Sequence, residues 1–304
     1  MWFKNLIVYR LENTFEYSQE DLEAKLENQQ FAHCSSQQPW SFGWTSPMGR
    51  HGSALSHYGS GAILLTARRE ERLLPAGVVN EMLGEKVEAI ELEQDRRVGR
   101  KERQELKEEL IFDMLPRAFT RSTRMQGLIL PQTGLVIIDS SNRTKAEEWL
   151  TLLRQTLGSL PVKPLEVVDS TISNFTAWLS GKTPLPASLE LGDQCELRSL
   201  EDAGAIVRCS QQDLAAEELQ AHLTAGKVVV KLALHWGESL GFVLNDTFEI
   251  KRLRFADSIK EEAHDNGQGE AAAEFDAAFT LMALELNRFL PALVELFGGI
   301  EQPD

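Results

Sequence analysis

The sequence predicts an α+β protein, and its composition indicates the size of the core and the redox compartment. Segments typical of strands and segments with helical periodicity are mixed along the chain, without the regular alternation of a doubly wound parallel sheet. Hydrophobic residues make up 42% of the 304 residues, which is enough for a sizeable core and for more than one domain. The three scattered cysteines are too few for a disulfide framework, so a reducing cytoplasm fits the composition best.

The first quarter of the chain predicts two strands and one helix. Ser18 followed by Asp21 is typical of a helix N-cap, and Leu22 and Leu26 lie one turn apart behind it. In order, we expect a strand at 2–11, a helix after Ser18, a long loop at 35–61, and a strand from Ala62 to Arg68 that continues towards Leu74 and ends at Pro75.

A helical hairpin is predicted next. Apolar residues recur along one side of the segment from Val78 to about Gln94, and Gly99 breaks that pattern. A second helix is expected from about Lys101 to Leu115, where Pro116 stops it. Two helices joined by a short basic turn form a hairpin.

The rest of the chain continues the mixed pattern, with a candidate boundary at Gly158–Pro164. We expect strands at 124–130 and 135–139, a helix starting at Asn142 or Thr144, a helix at 171–179, a strand at 205–209, a helix at 214–223, strands at 227–236, 241–245 and 248–255, a flexible linker at 261–273, and a long final helix.

The apolar stretch from Phe275 to Phe297 is the candidate for a membrane span, and its composition argues against one. Five polar or charged residues interrupt it: Asp276, Glu285, Asn287, Arg288 and Glu295. We therefore expect a core or interface helix and no membrane contact.

The net charge of −15 excludes a uniformly basic DNA-binding surface, but the charge is segregated along the chain. From Phe255 to the end, eleven acidic residues face two basic ones, whereas Arg96 to Arg124 contains nine basic and five acidic residues. Phosphates respond to the local field, so such a protein could hold DNA on one surface and repel it from the others.

Two basic segments flank the second hairpin helix. The turn concentrates cations at Arg96, Arg97, Arg100 and Lys101, which could equally form a solvated helix junction in which Lys101 pairs with Glu105. After Pro116 come Arg117, Arg121 and Arg124, among hydroxyl residues suited to phosphate contacts. Phe119 lies among them, and it could pack under the hairpin, anchor an interface, or act as a wedge against bases.

Further cations lie on the late strands. Lys227 and Lys231 are an even number of residues apart, so we expect them on one face of their strand. By the same alternation, Arg252 and Arg254 share a face and Lys251 points the other way. A DNA channel and an ordinary solvated sheet face both fit this pattern.

The sequence contains no convincing catalytic or metal-binding constellation. Gly237–Gly241 matches the G-x-S-x-G nucleophile elbow around Ser239, but strand-like residues follow where a helix is required, so a hairpin turn is favoured. Partners for Ser239 could be drawn from Asp257 and His264, at the edge of the acidic linker. We predict no catalytic residues, no metal and no cofactor.

Seven short blocks lie in order along the whole chain: Trp2–Leu6, Pro47–Gly49, Leu115–Phe119, Leu157–Val162, Gly226–Val229, Lys231–Leu234 and Lys251–Leu253. Together they resemble the recombination-associated protein RdgC family. The resemblance implies a crescent-shaped subunit that closes head to head and tail to tail into a ring-shaped homodimer. Duplex DNA would pass through a positive hole without sequence specificity, and binding would restrain RecA-promoted strand exchange.

The resemblance also implies a division of the chain and roles for its residues. Residues 1–75 and 116–165 would form a centre domain, 76–115 a helical-hairpin tip, and 166–304 a base domain. Phe119 would lie at the tip contact between subunits. The implied DNA contacts are Arg97, Arg100, Lys101, Arg117, Arg121, Arg124, Lys227, Lys231, Lys251, Arg252 and Arg254. Ser210 and Gln211 stand where the family leads us to expect lysines, which puts DNA contact there in doubt.

Two other function classes remain open at this point. The protein could regulate recombination by contacting RecA directly, with DNA contacts incidental, or it could be a serine hydrolase acting through Ser239. The DNA-binding hypothesis implies a cytoplasmic, nucleoid-associated protein and leaves open whether single-stranded DNA is bound as well.

Overall fold

Two antiparallel β-sheets organise the protein, and helices cover them. The computed structural model describes residues 1–200, 204–267 and 269–301. The elements from the first half of the chain are β1 (Ile7–Leu11), α1 (Gln19–Glu27), β2 (Trp40–Thr45), β3 (Ser56–Gly59), β4 (Ala62–Arg72), α2 (Ala76–Gln94), α3 (Arg100–Met114), β5 (Thr120–Leu130), β6 (Leu135–Ile138), α4 (Arg143–Leu157) and β7 (Val162–Pro164). The second half contributes α5 (Thr171–Leu179), β8 (Leu189–Ser199), β9 (Ile206–Ser210), α6 (Glu217–Thr224), β10 (Lys227–Trp236), β11 (Leu240–Asn245), β12 (Ile250–Phe255), α7 (Asp257–Gly267) and α8 (Ala271–Glu295).

The first sheet has the strand order β2-β4-β5-β6-β1-β7, with β3 paired to β4. Helices α1 and α4 contribute to the core on one face, where Trp44 and Trp149 are fully buried and meet edge to face. Gly127 on β5 is required by that packing, because a Cβ atom there would lie 2.3 Å from the Trp149 ring.

The second sheet has the order β12-β11-β10-β8-β9 and shares a core with the first. Helix α8 connects them: Phe289 contacts Trp236 and Phe242 of the second sheet, and Phe279 packs against Gly59 on β3. The backbones of Leu6 and Ile250 also exchange hydrogen bonds of 2.8 and 3.0 Å. The relative position of the two sheets is therefore fixed by packing and by backbone pairing.

Helix α8 is long and apolar enough by length and composition to cross a membrane, and it is the one helix among the described residues that meets those criteria. Its apolar stripe is buried in the shared core, however, with Met282, Leu286, Leu290 and Leu293 inaccessible to solvent. That burial is typical of the core helix of a folded domain and agrees with the sequence-based prediction.

Strands β4 and β5 continue beyond the rest of the first sheet. Thr66–Arg72 pairs with Thr120–Gln126, whereas β6 pairs only with the last four residues of β5. This extension, which we call the ribbon, leads into the hairpin of α2 and α3. The hairpin has a small core of its own, formed by Val79, Leu83, Val87 and Leu110.

Many local predictions are confirmed. Ser18 and Asn142 cap α1 and α4 through their side chains, and Gly99 is the N-cap residue of α3. Helix α5 and strand β10 have the predicted bounds. The hairpin, the two strands that follow it, and the three late strands are all present.

Three segment predictions are wrong. The expected loop at 35–61 contains β2 and β3, which are held by pairing with β4 and not by apolar alternation of their own. Strand β8 was not predicted, although it forms the centre of the second sheet together with β10. Much of the expected linker at 261–273 is helix α7, because its Glu, Lys and Ala residues favour helix despite their polarity.

Candidate nucleic-acid interface

A continuous basic surface crosses both sheets, and we call it the basic track. It consists of three adjoining open clefts: the ribbon cleft beside β4, β5 and α4, the junction cleft between residues 2–5 and β12, and the base-sheet cleft on strands β8 to β12 of the second sheet. The ribbon cleft and the junction cleft share Lys4 and Asn5, and the junction cleft shares Arg252 with the base-sheet cleft. Among the described residues that line the clefts, eleven are Lys or Arg and four are Asp or Glu. This surface is positive although the whole chain is negative.

The ribbon cleft lies where β5 runs free of β6. Arg121, Thr123 and Arg124 on β5 line it together with Arg69 on β4 and Lys145 on α4. Two of its cations are held by carboxylates: Arg121 pairs with Glu71, and Arg69 lies 3.1 Å from Glu148. The cations are thus positioned, and the cleft keeps a net positive charge.

The junction cleft is built on the first residues of the chain. The backbone N–H groups of Lys4 and Asn5 donate to Asp139 Oδ1 at 3.0 and 2.9 Å. Burial raises the pKa of Asp139, and the two N–H groups oppose that rise because they stabilise its ionised form. Asp139 therefore fixes the chain start beside Arg254 and Lys260, which complete the cleft.

Strand β12 presents three cations to the track because its alternation is interrupted. Ile250, Leu253 and Phe255 all face the core, which requires one extra residue between the first two. The ladder to β11 shifts register at this point, and Arg252 has a φ of 54°. Lys251 and Arg252 both line the base-sheet cleft, and Arg254 lines the junction cleft. The prediction that Lys251 and Arg252 point in opposite directions is therefore wrong.

The base-sheet cleft has a buried carboxylate at its centre. Glu196 is only 5% exposed, and it contacts Lys231 at 2.9 Å, Arg208 at 3.0 Å and Arg198 at 3.3 Å. Burial by itself would raise the pKa of Glu196, but hydrogen bonds from Lys231 and Arg208 outweigh it and lower the pKa to about 2. One ionised carboxylate thus holds three cations together, and the cluster keeps a net charge of about +2 by this pairing.

A bulge in β10 separates Lys227 from Lys231. The register to β8 slips by one residue between Val229 and Lys231. Val229 faces the shared core before the slip and Leu232 faces it afterwards, so the alternation reverses. Lys231 lines the base-sheet cleft, whereas Lys227 lies on the opposite face and lines none of the three clefts. The predicted shared face is wrong.

Comparison with known proteins identifies the family. The model of the family described as "Putative exonuclease, RdgC" matches residues 1–300. The chain belongs to the RdgC family. The recombination-associated protein RdgC of Aeromonas hydrophila is 46% identical over 302 residues, which cover 99% of each chain. The Pseudomonas aeruginosa protein of that name is 45% identical over 305 residues, covering all of this chain and 99% of the relative, and the one from Psychromonas ingrahamii is 42% identical, covering 98% and 99%.

In this RdgC-family chain, the remaining predicted site residues lie on or next to the hairpin. Arg97, Arg100 and Lys101 are exposed at its turn, where Lys101 lies 3.8 Å from Glu105. Arg117 is exposed at the other end of α3. None of these four residues lines the three clefts, so the structure brings together the ribbon and base cations and leaves the hairpin cations apart.

Phe119 lies at the beginning of the ribbon, with its side chain 84% exposed. Its carbonyl accepts a hydrogen bond of 2.8 Å from the Leu73 N–H, so the backbone is fixed while the ring points into solvent. Packing under the hairpin is therefore excluded for the single chain. The two other interpretations, an interface anchor and a wedge against bases, both require an exposed ring.

Five cations of the track were missed by sequence reasoning: Lys4, Arg69, Lys145, Arg208 and Lys260. Lys4, Arg208 and Lys260 have no other cation within two residues, so the sequence shows no local basic cluster around them. Arg208 lies two residues before Ser210, and both residues line the base-sheet cleft. The absence of lysines at Ser210 and Gln211 therefore leaves four other cations in that cleft.

The G-x-S-x-G match forms the turn between β10 and β11, as the sequence favoured. The Ser239 hydroxyl hydrogen-bonds to Glu285 on α8 and to the Trp236 carbonyl, so it joins the turn to the helix. Within residues 1–200, 204–267 and 269–301, no group of three or more His, Cys, Asp or Glu side chains is placed to hold a metal ion.

Proposed function

We propose that this protein binds DNA without sequence specificity along the basic track. We further propose that two copies close into a ring around duplex DNA and thereby restrain RecA-promoted strand exchange. The observation that carries the proposal is the continuity of the track across two sheets in a chain with a net charge of −15.

The chemistry of the track suits the DNA backbone. Arginine, lysine and hydroxyl side chains contact phosphates and sugars, and such contacts carry no direct sequence information. The segment after Lys260 contains ten acidic residues and one basic residue, and this negative charge would repel DNA from surfaces outside the track. This distribution favours one path for the duplex over adsorption at random.

Closure into a ring would add kinetic stability to moderate contacts. An enclosed duplex can leave only when an interface opens or when the protein reaches a DNA end. The exposed Phe119 supplies an aromatic anchor at one end of the subunit, and aromatic side chains are enriched among the residues that dominate interfaces. Restraint of strand exchange then follows from occupancy of the duplex, without a requirement for contact with RecA.

Binding to linear and to closed circular duplex over a salt series tests the proposal. Each phosphate contact adds about 0.9 to the slope of log affinity against log salt, so affinity should fall steeply with salt and should not depend on sequence. On closed circles the complex should dissociate more slowly than on short linear DNA, because no end is available. An affinity that stays flat between low and moderate salt would contradict a phosphate-lined path.

Arg254→Ala and Lys227→Ala make a matched pair for the same assay. Arg254 is exposed in the junction cleft, so its removal should lower the salt slope by about one unit and weaken all sequences equally. Lys227 lies on the opposite face of its sheet, and we expect its removal to leave the slope nearly unchanged. Equal losses from both variants would argue against the track as the DNA path.

Two further measurements separate the other function classes. If inhibition of strand exchange follows DNA occupancy across the salt series, the DNA-based mechanism is supported; if it persists when DNA binding is lost, direct contact with RecA is favoured. End-labelled DNA incubated with the protein and a divalent cation should remain intact, because we propose that the protein is not an enzyme. Shortening that the wild type catalyses would overturn that part of the proposal.

A further inference from the structure

The face of β2 carries a row of aromatic side chains that leads out of the core towards the ribbon cleft. Trp40, Phe42 and Trp44 alternate along the strand and therefore share one face. Trp44 is fully buried under α4, Phe42 lines the ribbon cleft, and Trp40 is 48% exposed. The other five tryptophans of the chain are buried or partly buried, so Trp40 is the most accessible of the six.

Trp40 is coupled to the basic track through Arg69. The Arg69 guanidinium carbon lies 4.8 Å from the centre of the Trp40 ring, a cation–π contact. The same guanidinium lines the ribbon cleft and is fixed by Glu148 at 3.1 Å. The indole is thus oriented on one side by a positioned cation, and nearly half of its surface remains open to solvent.

The backbone at this position is also fixed. Trp40 pairs with Glu71 across the β2–β4 ladder, and the Arg72 N–H donates to the Pro39 carbonyl at 2.8 Å. Within the part of the chain that the structure describes, the indole Nε1 makes no hydrogen bond. The ring is therefore a pre-oriented aromatic surface with a free polar edge.

We propose that Trp40 is a stacking site for an unpaired nucleobase at the edge of the ribbon cleft, an inference that rests on the proposed function. A base in a duplex has both faces covered by its neighbours, so an exposed indole can stack only on a base in a single strand, a frayed end or a displaced strand. Arg121 lies in the same cleft and, through the register of β2, β4 and β5, on the same face as Trp40, so it would contact a phosphate next to such a base. An aromatic platform beside a positive groove is the arrangement by which proteins bind single strands without sequence preference.

The structural alternative is that Trp40 serves only to shield Arg69 and the edge of β2. Both roles predict some effect of removing the ring, so the test must compare single-stranded with duplex DNA. It must also compare an aromatic replacement with a non-aromatic one.

Affinities of the wild type, Trp40→Ala and Trp40→Phe for an oligothymidylate and for a short duplex test the proposal. Loss of one base–aromatic stack corresponds to a roughly 5- to 150-fold weakening. Trp40→Ala should show a loss in that range on the oligothymidylate and little change on the duplex. Trp40→Phe should keep most of the affinity. Phe112→Ala, which removes an exposed aromatic ring from α3 outside the track, should change neither.

Tryptophan fluorescence supplies a second readout. Stacking should quench the emission of the wild type on addition of the oligothymidylate, and the quenching should be smaller in Trp40→Phe. Thermal melting of each variant separates loss of folding from loss of the stack.

The outcomes distinguish this inference from the proposed function. If the wild type binds neither DNA, the proposed function fails. If the wild type binds both and Trp40→Ala matches it on the oligothymidylate, only the stacking site is overturned. Equal losses on single-stranded and duplex DNA would also overturn it, because they would show that Trp40 acts through the position of Arg69.

Discussion

Arg252 illustrates how one residue can determine the direction of several. Its φ of 54° is a left-handed conformation that costs a non-glycine residue about 1–3 kcal/mol. Two contacts offset that cost: its guanidinium donates to Gln194 Oε1, and its backbone N–H lies 3.4 Å from Asn5 Oδ1. Because of this backbone conformation, Lys251, Arg252 and Arg254 all line the basic track. Residues with such strained backbone conformations cluster at functional sites, and Arg252 lines a candidate binding site.

Glu196 makes the stability of the protein dependent on acid pH. Its pKa in the folded protein is about 2, against an ordinary value of 4.5, so its ionisation stabilises the folded state. That contribution is complete above about pH 4.5 and is lost as the pH falls through 2. Because its partners Lys231 and Arg208 are partly exposed, we expect a contribution on the order of 1–3 kcal/mol.

Urea unfolding of the wild type and Glu196→Gln between pH 7 and pH 2 checks this prediction. The wild type should lose more free energy of unfolding than the variant over the window from 4.5 to 2. Glu190→Gln, at an exposed position on the same strand, is the matched control and should behave like the wild type. Parallel pH profiles for the wild type and Glu196→Gln would show that the three cations do not stabilise the carboxylate.

At the scale of the element, β-bulges decide which residues face the track. Strand β10 carries one extra residue between Val229 and Lys231, and the ladder between β11 and β12 shifts at Arg252. Each bulge reverses the alternation of the strand beyond it. Both lie in strands whose bounds were predicted well, so a correct strand assignment did not suffice to predict its faces.

The ribbon and hairpin form the second element with functional consequences, because Phe119 lies where they meet. If Phe119 anchors a tip contact between subunits, Phe119→Ala should cost about 2 kcal/mol or more at that contact. The dimer should persist through its other interface, and DNA affinity should fall without a change in the salt slope. Thermal stability of the single chain should hardly change, since the ring is exposed.

Distances between spin labels on exposed positions of α3 in the two subunits, measured together with the salt slope, check the Phe119 prediction. Loss of DNA bending with an unchanged tip distance would instead identify Phe119 as a wedge between bases. Phe112→Ala is the matched control for removal of an exposed aromatic side chain. Native distances and native affinity in Phe119→Ala would show that the residue does neither.

At the scale of the whole molecule, the shared core fixes the position of the two sheets relative to each other. Helix α8 packs against both, and the pairing of Leu6 with Ile250 joins their backbones. A track that runs across both sheets can therefore keep its shape without DNA. Pre-organised cations lose less entropy on binding than mobile ones, which favours affinity from moderate contacts.

We expect the protein to be a dimer in solution, because the proposed ring needs two subunits. Light scattering at micromolar concentration measures this directly. Phe119→Ala should also scatter as a dimer, since the second interface remains. A monomeric wild type would contradict a stable ring and would leave the track as a one-sided binding surface.

The sequence by itself determined the fold class, most helices and strands, and the character of the surface. Caps at Ser18 and Asn142, the hairpin around Gly99 and the apolar stripe of α8 depend on contacts within a few residues, and such contacts can be read from spacing. The family resemblance, which the comparisons confirm, also rested on short blocks of sequence.

Only the tertiary structure decided which cations form one surface. Lys4, Arg69 and Arg208 come from segments far apart in the chain, and they line adjoining clefts because the two sheets are docked through α8 and through Leu6. The bulges that bring Lys251 and Arg252 to the same side, and that turn Lys227 away, arise from the register of neighbouring strands. Register is a property of the pair and not of either strand, so the alternation of residues within one strand could not predict it.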